Sequence, residues 1–167
     1  MKKIITFISI FALLLTACTG DQGPPSLTGL NGQNGVNFVG QSFESTISFA
    51  TTNGYRETLE IPLDISLEES DMVLVYHLRG QIDDFDVWKL LPETVYLNSG
   101  EEFRYNFEHN FDFVSIFIES NPTFNFNLLS DDQRINQTFR IVILPVDFAS
   151  SNNLDINNYN EVMNFIQ

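Results

Sequence analysis

The sequence predicts an all-β fold, an antiparallel β-sandwich or barrel-like domain closed by one short C-terminal helix. Three observations carry this. Apolar residues recur at every second position in short runs, turn residues separate the runs, and only the final stretch repeats at helical spacing. Phe43, Ser45, Ile47 and Phe49 alternate with Glu44, Thr46 and Ser48, the pattern of a half-buried strand. Leu59 and Ile61 continue a second face that starts at Tyr55 and Glu57. Asn53-Gly54 between them signals a hairpin. A two-residue loop would set Ile47 across from Glu60, so a loop over 52–54, with Gly54 left-handed in a bulge, is expected to oppose Ile47 to Leu59.

Further strands are expected at 72–79, 87–91, 94–98, 102–108, 111–119 and 138–146. Phe103, Tyr105 and Phe107 point one way and Arg104, Asn106 and Glu108 the other, which gives that strand a wet side. Residues 111–118 and 139–144 are apolar on both faces and are expected in central strands covered on both sides. Asn98-Ser99-Gly100 and His109-Asn110 read as turns. Pro145 has no N–H to give a ladder, so its strand ends there or lies at an edge. Asp155 is expected to cap one helix whose stripe is Ile156, Tyr159, Val162, Met163 and Ile166.

The chain has 167 residues, 43% hydrophobic and 18% charged, which implies one folded domain and excludes a disordered chain. Its 22 acids against 8 bases repel phosphate, which argues against nucleic acid as a partner. A single cysteine excludes a disulfide framework.

Lys2 and Lys3 precede an apolar run over 4–15, the charged and apolar regions of an export signal. The run leads into Leu15-Thr16-Ala17-Cys18: a leucine, two small residues, then the cysteine. This stretch resembles the lipobox of bacterial lipoproteins. Glycine then recurs every third residue at Gly20, Gly23, Gly29, Gly32 and Gly35, with Ser26 in the remaining place. A triple helix admits only glycine on its axis, so Ser26 and the single Pro24-Pro25 triplet favour an extended, solvated spacer over a trimerising collagen-like stalk.

With the aromatic-rich strands that follow, the chain is similar to small bacterial lipoproteins that carry a lipobox, a few Gly-X-Y triplets and a C-terminal all-β domain of unassigned function. The resemblance implies a signal peptide over 1–17 and a tether over 18–41, with the β domain over 42–167. It implies a diacylglycerol on the Cys18 sulfur and a further acyl chain, such as palmitate, on its amino group. Two or more chains hold a protein stably on a membrane, which becomes the first partner. The implied place is the cell envelope, and Thr19 is compatible with sorting to the outer membrane.

Calcium is the one metal with candidate ligands, Asp83, Asp84 and Asp86, because closely spaced carboxylates in a loop suit a hard cation. They lack the glycine and distal glutamate of a full calcium loop, and solvated turns are the blander account of them. Trp88, beside Asp86 and Lys89, is the candidate aromatic platform for a glycan. His77 and His109 have no partner at ligand spacing, and no nucleophile elbow or P-loop is present, so no catalytic residue is assigned. The expectation is a non-enzymatic, lipid-anchored envelope protein with a structural or interaction role towards an unknown protein or glycan. The alternative is a ligand-binding module for glycan or calcium on the same anchor.

Overall fold

The computed structural model describes residues 40–166. The signal, lipobox and nearly all of the tether read from the sequence lie outside these residues. Strands form where apolar and polar residues alternate: β1 (Gln41–Ile47), β2 (Arg56–Glu60), β3 (Asp71–Ile82), β4 (Phe85–Leu90), β5 (Glu93–Tyr96), β6 (Glu102–His109), β7 (Phe113–Ser120) and β8 (Gln137–Pro145). Short helices α1 (Asp131–Arg134), α2 (Val146–Ser151) and α3 (Tyr159–Met163) complete the described chain.

Two antiparallel four-stranded sheets result, ordered β1-β8-β3-β4 and β2-β7-β6-β5. Val73, Val75, Phe139, Ile141 and Ile143 from the first meet Phe103, Tyr105, Val114, Ile116 and Ile118 from the second in one buried core. The other face of the first sheet carries a second core. There Leu74, Tyr76 and Val142 pack against Ile156, Tyr159, Val162 and Met163 of the C-terminal segment. The fold is a β-sandwich with a strap across one outer face.

The hairpin expected at Asn53-Gly54 does not form. β1 pairs with β8 and β2 with β7, so the two strands lie in different sheets. Gly54 is left-handed as expected (φ 62°), but Tyr55 is left-handed too (φ 57°), and the chain turns through a short 3-10 segment over Thr51–Asn53. Asn53 fixes this corner. Its side-chain oxygen accepts from the Ala50 and Tyr55 amides at 2.9 and 3.1 Å, and its nitrogen donates to the Ser48 carbonyl and the Glu57 carboxylate at 2.8 and 2.6 Å. Crossing between sheets turns both apolar stripes towards one interior, Ile47 from one side and Leu59 from the other.

Two further expectations are corrected. β8 is central and covered on both faces, but β7 is central with a bare outer face: Phe113, Ser115, Phe117 and Glu119 lie on the side opposite the buried Val114, Ile116 and Ile118. The C-terminal stripe docks as expected, with Tyr159, Val162 and Met163 on the short helix α3 and Ile156 and Ile166 flanking it, while α2 is a further short helix that sequence spacing did not announce. Asn158, not Asp155, caps α3 by accepting the Glu161 amide at 3.3 Å, while Asp155 closes its own turn onto the Asn157 amide at 3.0 Å. Pro145 does end its strand and passes directly into α2.

Candidate functional site

The sandwich interior holds one polar cluster. His77 (β3) and Gln137 (β8) come from one sheet and Glu93 (β5) from the other, so the cluster links the two. The His77 ring is 2% exposed, with Nδ1 3.2 Å from Glu93 Oε2 and Nε2 3.0 Å from Gln137 Oε1. Gln137 donates its amide nitrogen to the Asp132 and Ile135 carbonyls at 3.1 and 2.7 Å, which turns its oxygen towards the ring. Both ring nitrogens thus face side-chain oxygens. Arg79 reaches the same Glu93 oxygen at 3.4 Å. Phe139 stacks on the ring at 4.7 Å and Tyr105 meets it edge-on at 4.6 Å. Burial pushes the Tyr105 phenol up, and its hydroxyl donates to the Gln133 carbonyl. Enclosed in this way, the cluster ties the sheets together and leaves no room for a substrate at the imidazole.

Trp88 does not offer a free platform. It lies on the strapped face, half-buried, with Tyr159 of α3 stacked on it at 5.6 Å and the Arg140 guanidinium 4.3 Å from its ring. Asp83 and Asp84 are the central residues of the β3–β4 turn, both left-handed (φ 51° and 67°), between the paired Ile82 and Phe85. Asp86 sits on β4 and accepts from the Gln81 amide at 2.9 Å. The structure therefore places the three carboxylates on one exposed hairpin, two at its tip and one along its side. Among the described residues, no group of three or more histidines, cysteines or acids converges to hold a metal ion.

The feature that sequence reading missed is the end of the sandwich where β2 and β6 finish and β3 and β7 begin. Two connections build it: the loop 61–70, and the 109–113 turn, which runs from the last residue of β6 to the first of β7. Phe111, expected inside a strand, precedes β7 because the Asn110 side chain accepts the Asp112 and Phe113 amides at 2.9 and 2.8 Å and turns the chain. Phe111 is left 59% exposed, with Leu63 fully exposed and Phe113 partly so. A cleft of about 380 Å³ lies between them, lined by Leu63, Ile65, Phe111, Phe113 and the acids Glu60 and Asp112. A second, of about 210 Å³, is lined by Leu67, His109, Phe111 and the acids Glu68, Glu69 and Asp71. Phe111 is the wall they share. With Asp64, the two loops and the strand ends beside them carry six acids, and residues 60–71 and 109–113 contain no lysine or arginine. Among the described residues, none of these acids takes part in an ion pair.

No family model, curated protein or solved structure matches the chain.

Proposed function

We propose that the protein is a lipid-anchored component of a bacterial cell envelope, with a structural or interaction role and no chemistry of its own. One observation carries the reading: the order of Lys2-Lys3, the apolar run over 4–15 and Leu15-Thr16-Ala17-Cys18. The Gly-rich stretch over 20–35 then serves as a spacer between bilayer and sandwich. Two features of the described domain support an interaction role. The His77–Glu93 pair, the closest approach of a histidine to an acid among the described residues, is walled in by aromatic rings. Three of the eight large exposed apolar side chains among the described residues, Leu63, Phe111 and Phe113, gather at one end of the sandwich.

Labelled palmitate fed to cells expressing the full chain tests the anchor. The label is expected in the wild-type protein and absent from Cys18→Ser, and mass spectrometry is expected to find an N-terminal peptide that begins at Cys18 with its diacylglycerol and acyl chains. A bare Cys18 thiol, or residues 1–17 still attached, overturns the proposal.

A further inference from the structure

We infer that the sandwich end built from loops 61–70 and 109–113 docks an extended apolar segment of a partner protein, one that carries lysine or arginine beside its apolar side chains. The inference rests on the envelope-interaction reading and names the chemistry of the partner.

The geometry comes first. The two clefts flank Phe111, so a segment laid across the end can set one apolar side chain in each with the phenylalanine ring between them. Charge then selects the occupant. Glu60 and Asp112 line one cleft and Glu68, Glu69 and Asp71 the other, with no lysine or arginine in either loop to neutralise them. A second copy of this chain would set these carboxylates against themselves, and an anionic bilayer would meet the same repulsion. Residues 19–39, the stretch leading into the described domain, contain no lysine or arginine and cannot supply the counter-charge. A cationic apolar segment satisfies both the clefts and their acids. Clefts of this size fit a transient contact, on the order of micromolar to tens of micromolar, weakened by salt.

The probe is a fluorescent 12-residue peptide of alternating lysine and leucine, with lysine–serine and glutamate–leucine peptides as controls. It is titrated against the full chain as purified, in phosphatidylcholine nanodiscs if the protein carries lipid and in plain buffer if it does not. The docking result therefore stands or falls separately from the anchor. Anisotropy above that of empty discs or buffer is expected for lysine–leucine and for neither control. Leu63→Ser/Phe111→Ser is expected to weaken it at least tenfold, and Glu68→Gln/Asp112→Asn about fivefold with a flatter salt dependence. Asp83→Asn/Asp84→Asn, on the remote hairpin, is expected to leave it unchanged.

Hydrogen exchange on the wild-type protein gives a readout that no variant can spoil: the peptide should protect amides within 61–70 and 109–113. Equal binding by wild type and both patch variants overturns the inference. So does protection of those amides by discs without peptide, which would mark a lipid surface. Protection that grows with protein concentration alone would mark a second copy and overturn it equally.

Discussion

The outer face of the β1-β8-β3-β4 sheet presents Met72, Leu74, Leu90 and Val142 to the C-terminal strap, whereas the β2-β7-β6-β5 sheet presents Arg56, Thr58, Arg104, Ser115 and Glu119 to water. Both faces follow the same period of two. On the first, the outward positions are apolar enough to need a cover, and the stripe of Tyr159, Val162 and Met163 provides it. On the second, cross-strand pairs satisfy the surface in place. Thr58 and Ser115 share a hydrogen bond at 2.8 Å, Arg56 pairs with Glu108 and lies 4.0 Å from the Phe117 ring, and Arg104 approaches Glu119 at 3.8 Å. The contrast teaches that the apolar content of alternate positions decides which face of a sheet acquires a third layer.

Cutting into the covered face should have the largest effect. Leu74→Ala, at a site 5% exposed, is expected to cost about 2–5 kcal/mol in urea unfolding, since the sheet and strap cannot both close over the gap. A loss under about 1 kcal/mol would mean that the strap adds little to the fold.

The next effect depends on pH. Tyr76 donates its hydroxyl to the Ile156 carbonyl at 2.9 Å, and burial beneath the strap, with Asp155 adding to it, pushes its phenol up to about 12. Between pH 10 and about 12 the unfolded chain releases this proton while the folded chain keeps it, so stability falls as pH rises through that window. Tyr105, raised in the same direction, adds to the fall. Tyr76→Phe is expected to lose about 1 kcal/mol at neutral pH and to show a shallower decline of the urea midpoint above pH 10. An unchanged slope would place the strap off the sheet in solution. The smallest effect belongs to the bare face, where Arg104→Ala should stay within about 0.5 kcal/mol, because both partners of its ion pair remain about half exposed.

Much of this was legible in advance. Strand positions follow from alternation, and the strap from the spacing of Ile156, Tyr159, Val162 and Met163. Pairing was not legible at the first corner, because Asn53-Gly54 is equally a hairpin signal and a way to leave a sheet. Only the left-handed Tyr55, which no propensity favours, decides between them. α2 carries too short a pattern to announce itself, with Ala149 its one buried residue. The sequence did contain an unread clue to the inter-sheet link: Glu93 shares the parity of Val95, which places an acid on the inward face of β5. Phe111 misled because its apolar neighbours extend a strand pattern that Asn110 has already interrupted.

Trp88 is the only tryptophan in the chain, and its ring lies at the seam between the first sheet and α3, away from the space between the sheets. Emission from that ring therefore reports the departure of the strap, while far-ultraviolet dichroism reports the strands. Melts followed by the two signals coincide if strap and sheets come apart together and separate if the strap lifts first.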